Sequence, residues 1–421
     1  MSSDGALLFK DAAILAREKI DPANAVGKKY VGLKHIEPDS LVLSGYGYAE
    51  DVASSKAIFK KGDILFGKLR PYFRKVVIAP FDGICSTDIW VVRAKKNVDQ
   101  TFLYYWMASR EFVDNATRGS EGTRMPRAKR DYVGRFESPV TDKNEQIAIG
   151  QVLKSLDDKI ELNRQMCETL DKTASALFKS WFVDFDPVKA KMEGRVPEGM
   201  EPELLNLFPD SFEDSDLGPI PTGWEIDEVG NLLEAVGGGT PSTKNASFWD
   251  GEHYWATPKD LSSLSHHVLL KTERQITEKG LDKISSGLLP EGTVLMSSRA
   301  SIGYVAVAEV PVAINNDFIA MKCTGLLGTQ FVLQWTLANV PKIKSYANGS
   351  IFQGISKKDF RPIKVAYPDN GLLDEFENIA SSLHKRCVDL VKQNNQLTEM
   401  RDNLLPKLIS GELRVEDVGG V

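Results

Sequence analysis

Residues 144–182 read NEQIAIGQVLKSLDDKIELNRQMCETLDKTASALFKSWF, and residues 372–410 read LLDEFENIASSLHKRCVDLVKQNNQLTEMRDNLLPKLIS. In the first stretch Ile149, Leu153, Leu156, Ile160, Asn163, Cys167, Leu170, Ala174, Leu177 and Trp181 follow one another at strict 4,3 spacing. In the second, Phe376, Ala380, Leu383, Cys387, Leu390, Asn394, Leu397, Arg401, Leu404 and Leu408 do the same. Sustained apolar 4,3 steps are the seam of a coiled coil, and a lone Asn in each seam is a register device that costs stability. Setting Asn163 opposite Asn394 in antiparallel sense pairs Trp181 with Phe376, Cys167 with Leu390, Leu170 with Cys387 and Ile149 with Leu408. Only Leu156 then meets a mismatched partner, Arg401. The spacing predicts an intramolecular antiparallel helix pair with a globular domain at each end, and a helix of about 33 residues spans roughly 50 Å.

Working outward, the chain repeats itself at an interval near 230 residues. Lys61–Leu65 matches Glu291–Leu295, Arg70 matches Arg299, and Ser86-Thr87-Asp88 matches Asn315-Asn316-Asp317. Phe102 and Trp106 match Phe331 and Trp335, Gly119-Ser120 matches Gly349-Ser350, and Lys129–Tyr132 matches Lys357–Phe360. Each match is weak alone; their collinear order implies two similar halves, each a mixed domain followed by a long helix. β-Branched runs such as VVIAPFDGICSTDIWVVRA and GYVAVAEVPVAINNDFIAMKC read as strands, and TFLYYWMASREFVDNA reads as an amphipathic helix. The fold class is α+β: two mixed domains separated by two long antiparallel coiled-coil helices, with a pseudo-twofold internal repeat. The domains run 1–143 and 219–370, the spacer helices 144–182 and 371–410, with a connector at 183–218 and a tail at 411–421.

Length and composition agree. A chain of 421 residues, 42% hydrophobic and 26% charged, is too long for one ordinary core. Cys85, Cys167, Cys323 and Cys387 lie far apart without a CxxC, which argues against a disulfide framework and against a thiolate zinc site. No run of 18 apolar residues exists and the first residues lack a signal peptide's order, so the expected setting is cytoplasmic with no membrane contact. The net charge of −6 argues weakly against nucleic acid, but the charges are unevenly placed. Residues 56–135 hold 17 basic and 8 acidic side chains, and residues 340–365 hold six against one. Residues 184–228 hold 13 acidic against three basic side chains with many Pro and Gly, the pattern of an extended acidic connector.

The stretch from Asn144 to Val188 resembles the central spacer of specificity subunits of Type I restriction-modification systems, and LTEMRDNLLPKLISGEL (397–413) resembles their C-terminal spacer. GPIPTGWEI (218–226) and GGGTPSTKNASFWDGEHYWATPKDL (237–261) resemble a common opening of a target recognition domain. The resemblance implies two target recognition domains reading a bipartite, asymmetric site on double-stranded DNA. It implies two modification (methyltransferase) subunits and two restriction (motor-nuclease) subunits as partners. It also implies no cofactor in this chain, with AdoMet held by the methyltransferase subunits and ATP and Mg2+ by the nuclease subunits.

No catalytic constellation is legible. An adenine methyltransferase needs an Asn/Asp-Pro-Pro-aromatic loop; Asp21-Pro22-Ala23-Asn24 is not one. Gly237–Lys244 lacks the Gly-Lys-Ser/Thr ending of a nucleotide-phosphate loop. His266 and His267 are chain neighbours that do not readily face one metal, so no metal site is read. Readout of DNA needs side chains at base edges, while affinity comes mainly from phosphate contacts. In the first domain the candidates are Lys68, Arg70, Arg74, Arg118, Ser120, Arg124, Arg127 and Lys129, where Arg suits guanine. In the second they are Thr240, Ser242, Lys244, Thr257, Lys259, Ser298, Arg299, Asn316, Asn348, Ser350 and Gln353, where Asn and Gln suit adenine. Tyr72 and Phe73 interleave with basic residues, whereas the aromatics at 102–106 read as core. The competing interpretation is a non-catalytic protein scaffold whose basic domains are only solvated surface.

Overall fold

The computed structural model describes residues 5–299, 301–347 and 354–418. It divides into two units, Met1–Ile160 with Asn395–Val421, and Glu161–Asn394. The long helices run Lys143–Phe182 and Asn370–Ile409, each 40 residues. None of the twenty seam positions is exposed, as the 4,3 spacing requires.

In the first unit an antiparallel sheet runs in the order Ala13–Leu15, Ile89–Ala94, Ile64–Gly67, Val76–Ile78. A second sheet carries Gly83–Cys85 parallel to Lys29–Val31. Helices Gln100–Ala108 and Arg110–Arg118 are capped by Asp99 and Ser109, whose side chains accept from the Phe102 and Phe112 amides. Phe9, Phe66, Phe102, Trp106 and Phe112 fill the core, so the 102–106 aromatics are interior as expected. Ile149, Leu153, Leu405 and Leu408 join this core, which places 143–160 and 395–409 against the same domain.

The second unit repeats this plan. Its main sheet runs Glu234–Val236, Phe318–Lys322, Val294–Ser297, Val305–Ala308 and then Val268–Leu269. The first four strands reproduce the order and antiparallel sense of the first unit's sheet. Trp249–Ala256 runs parallel to Val312–Ile314 as Lys29–Val31 does to Gly83–Cys85. The repeat extends to single hydrogen bonds. Phe9 and Lys10 amides donate to Phe136 and Gly134 carbonyls, as Val229 and Gly230 amides donate to Ile363 and Arg361. This pairing makes Val133 the counterpart of buried Phe360, one residue beyond the match read from sequence.

Two expectations need correction. Residues 183–218 are not an extended connector: Asp186–Met192 is helical, and Val188, Leu205 and Phe208 are buried. Phe208 packs edge-on to Trp181 with ring centroids 5.2 Å apart, and the Lys191 ammonium donates to the Phe208 carbonyl at 2.6 Å. A few apolar side chains outweigh the surrounding charge because each buried one contributes about 1.5–3 kcal/mol. The absence of a disulfide is also overturned. Cys167 and Cys387 are bonded across the two helices, with their Cα atoms 4.9 Å apart.

Antiparallel pairing is direct within the second unit, where Asn163 meets Asn394 while Cys167, further along its helix, meets Cys387. Phe376 lies against Trp181 at 6.0 Å and against Phe178 at 5.8 Å. In the first unit Arg401 does not sit idle opposite Leu156. Its guanidinium turns to Asp157 at 2.8 Å and to Asp402, and the residue is buried.

Candidate nucleic-acid interface

In the first unit the turn after Ile64–Gly67 is pressed against the hairpin Ser120–Ala128. The Lys68 carbonyl accepts from the Ala128 amide at 2.9 Å, Leu69 bridges Arg127, and the Arg70 amide donates to the Pro126 carbonyl at 2.7 Å. Arg70 adopts φ 51°, a left-handed conformation that costs a non-glycine residue about 1–2 kcal/mol and is kept only where neighbours enforce it. Its guanidinium donates to the Arg124 carbonyl at 3.2 Å. The fold thus brings together Lys68, Arg70, Arg124 and Arg127, which lie more than fifty residues apart in pairs. Tyr72, Phe73 and Met125 are exposed on the same two loops, an apolar surface interleaved with cations.

The charges are not equally free. Arg127 is held by Asp88 at 2.8 Å, which raises its pKa, and Lys129 is paired with Glu121. The Ser120 hydroxyl donates back to the Ala116 carbonyl at 2.7 Å, finishing helix Arg110–Arg118. Arg70, Arg118 and Arg124 are exposed and form no ion pair among the described residues. Arg74 must be withdrawn as a candidate. It is 2% exposed, its Nε donates to the Ala108 carbonyl at 2.6 Å, and its Nη1 donates to Asp39 at 3.0 Å. Burial works against the Asp39 carboxylate, but hydrogen bonds from Arg74 and Arg110 outweigh it and hold Asp39 below its ordinary value.

The second unit builds the same junction with different chemistry. The Ser298 amide donates to Asp317 at 2.7 Å as Lys68 does to Asp88, and the Ser298 carbonyl accepts from Ile355 as Lys68 does from Ala128. Arg299 bridges Gly354, which makes Leu69, not Arg70, its structural counterpart. Ser298 is buried and its backbone is spent in this junction, so it is withdrawn too. Arg299 is exposed and 3.9 Å from Asp317. Asn348, Ser350 and Gln353 lie outside the described residues.

The glycine-rich loop is held by groups the sequence reading did not single out. The indole N–H of Trp255 donates to the Gly239 carbonyl and that of Trp249 to the Ser242 carbonyl, both at 3.1 Å. The Arg274 guanidinium stacks 3.5 Å from the Trp249 ring. Both tryptophans sit on strand Trp249–Ala256, and a spacing of six on a strand is the signal that could have found them. Gly238 is required for close approach: a Cβ there would lie 1.9 Å from the Ile314 carbonyl oxygen. Held this way, the loop presents Thr240, Ser242 and Lys244 outward, and the Thr240 hydroxyl donates to Asn316 at 2.7 Å. Thr257 is committed to capping helix Pro258–Ser262 through Asp260, and Lys259 to Glu273 at 2.5 Å.

Among the described residues no cluster of His, Cys, Asp and Glu could hold a metal, and no helix is long and apolar enough to cross a membrane. The family model described as "Type I restriction modification DNA specificity domain" matches residues 29–172 and 221–399. The specificity subunit of the Type I restriction enzyme HindI of Haemophilus influenzae is 26% identical over 85% of this chain and 88% of its own. The MjaIX specificity subunit of Methanocaldococcus jannaschii is 32% identical over 45% of this chain and 44% of its own. Among solved structures, the S subunit of a Type I system from M. genitalium superposes with a TM-score of 0.53 at 15% identity, covering 96% of this chain and 95% of that one. The matched residues fall on both repeated units and on both long helices, and the chain belongs to the family of Type I restriction-modification specificity subunits.

Proposed function

We propose that this chain is the non-catalytic DNA-recognition subunit of a Type I restriction-modification complex, with each domain (1–143 and 219–370) reading one half of a bipartite target. The observation that carries this reading is the duplicated junction in which a strand-end turn is clamped to a second loop by the same backbone hydrogen bonds, Lys68 with Ala128 and Ser298 with Ile355. One framework then displays two chemistries. Exposed Arg70, Arg118 and Arg124 in the first unit suit guanine edges and phosphates; Thr240, Ser242, Lys244, Arg299 and Asn316 in the second offer a hydroxyl- and amide-rich set. Identical framework with different side chains is what two unlike half-sites require.

The long helices set half-site separation and offer their exposed faces to two methyltransferase subunits, with two motor-nuclease subunits completing the cleaving assembly in the cytoplasm. AdoMet, ATP and Mg2+ belong to those partners, as does extrusion of the target adenine. The test is a salt series of DNA binding by the chain assembled with its modification subunits. Arg70→Ala and Arg124→Ala should each reduce the slope of log K against log salt by about one. Unchanged slopes and affinities for both variants would reject this surface.

A further inference from the structure

A cavity of about 390 Å3 opens in the first unit between helix Phe9–Ala12, strand Ala13–Leu15 and helix Arg130–Val133. Its charged lining is Lys10, Arg17, Arg130 and Arg135 with a single acid, Asp131. All five are exposed, and none of the four cations forms an ion pair among the described residues. Four like charges around one concavity repel one another, and an anion bound among them relieves that repulsion.

The second unit shows what this space becomes when it is closed. By their backbone hydrogen bonds Lys10 corresponds to Gly230, and Gly134 to Arg361. In the second unit the Arg361 side chain lies directly over Gly230, where a Cβ would come within 2.6 Å of it, and its guanidinium donates to the Ala235 carbonyl at 2.7 Å. In the first unit large and small are exchanged. Gly134 provides no side chain to cross the space, while Lys10 stands on the facing element and its Cβ would lie 3.4 Å from a Cβ at 134. One unit therefore spans the position with its own cation; the other leaves it open and surrounds it with four.

We infer that this cavity binds a phosphate group, through the ammonium of Lys10 and the guanidinium groups of Arg17, Arg130 and Arg135. Three guanidiniums offer forked pairs of N–H donors matched to phosphate oxygens, and no residue of the cavity competes for them beyond Asp131. The volume lies within the 300–1,000 Å3 of small-ligand clefts. The phosphate is either a free phosphate compound or a DNA-backbone phosphate at the edge of the first half-site, since Arg130 directly follows Lys129.

The full chain, assembled with its modification subunits, is titrated with inorganic phosphate, and its thermal midpoint is compared with chloride and acetate at equal ionic strength. Phosphate should raise the midpoint beyond both controls, and Arg130→Ala with Arg135→Ala should abolish the difference. A second variant, Lys10→Gly with Gly134→Arg, transplants the closed arrangement while keeping the total charge, and it should abolish the difference as well. DNA binding then identifies the source. A salt slope lowered by about one or two in the double-alanine variant assigns the site to backbone phosphate, and an unchanged slope assigns it to a free phosphate compound. The inference is overturned if wild type and both variants respond alike to phosphate, or if acetate matches phosphate. The phosphate titration requires no DNA, so its failure is distinguishable from failure of the DNA-recognition reading.

Discussion

Across the two long helices the Asn163 side-chain amide donates to the Asn394 carboxamide oxygen at 2.9 Å and to Gln393 at 2.7 Å. Asn163 is fully buried, and its amide finds these partners only in this register. A slip by one heptad would face it with Cys387 or Arg401, neither of which offers a side-chain oxygen acceptor, and leave the amide N–H unpaired, a loss of about 1–3 kcal/mol. Asn163→Ala should therefore lower the stability of the second unit by that amount in urea unfolding. Replacing both by leucine should instead raise stability by about 1 kcal/mol or more, because apolar seams are intrinsically stronger. A double-leucine variant less stable than Asn163→Ala would contradict a register role.

The Cys167–Cys387 bond makes a thiol count decisive. Denatured without reductant, the chain should show two free thiols, Cys85 and Cys323; with reductant it should show four. In the native state even those two should resist alkylation at neutral pH, because burial pushes both thiols up to about 12. Cys167→Ser should give three thiols in denaturant without reductant. Four thiols from wild type under that condition would mean the helices are not linked.

What the sequence disclosed was whatever repeats at fixed spacing. The 4,3 seam located both helices and the Asn163–Asn394 layer, and the collinear matches located two copies of one sheet. What it concealed depends on a neighbour distant in the chain. Cys167 was expected opposite Leu390, but an antiparallel knob sits among several residues of the facing helix, and the nearest is Cys387, one turn away. Arg74 reads like its basic neighbours, but it is buried and held by the Ala108 carbonyl, Asp39 and Asp402, all distant in the chain. The offset between Arg70 and Arg299 is invisible without the ladder that places Leu69 opposite Arg127. At the candidate interface, side-chain types were legible, but which cations are already neutralised by Asp88, Glu121 or Glu273 was not.

Arg401 shows how a seam mismatch is resolved. Burial opposes its charge, but Asp157 at 2.8 Å and Asp402 more than compensate and raise its pKa. Tyr105 donates its hydroxyl to the other Asp157 oxygen at 2.7 Å, so one carboxylate ties helix Gln100–Ala108 to both long helices. Arg401→Met leaves that carboxylate without its guanidinium and should cost about 3–5 kcal/mol by chemical denaturation. Adding Asp157→Asn should recover more than half of the loss, whereas Tyr105→Phe alone should cost about 1–2 kcal/mol. If Asp157→Asn failed to rescue Arg401→Met, the cost would come from packing and not from the stranded charge.

His266 gives the second unit a defined acid sensitivity. Burial first, then the neighbouring His267 and His384, lower its pKa to about 4 from an ordinary 6.5. Facing it are His267, whose Nδ1–H donates to the Val305 carbonyl, and His384 with Glu309 at 2.8 Å, and Asp171 interacts in turn with His267 and His384. A lowered histidine pKa means that between pH 6.5 and 4 the unfolded chain holds a proton that the folded chain refuses. Stability therefore rises with pH across that window and is lost as pH falls through it. The interval sets a ceiling of about 3 kcal/mol, and partial access of water to the ring brings the expected loss nearer 2 kcal/mol. Asp171 acts in the opposite sense, because burial raises its pKa and makes the folded state the better proton acceptor above 3.8. Subtracting the pH profile of His266→Gln from that of wild type removes Asp171 from the comparison. Urea unfolding at intervals from pH 7 to 4.5 should show wild type losing stability faster than His266→Gln, with the two curves keeping a constant separation above pH 7. Parallel profiles would mean that His266 takes up its proton in the folded state as readily as in the unfolded one.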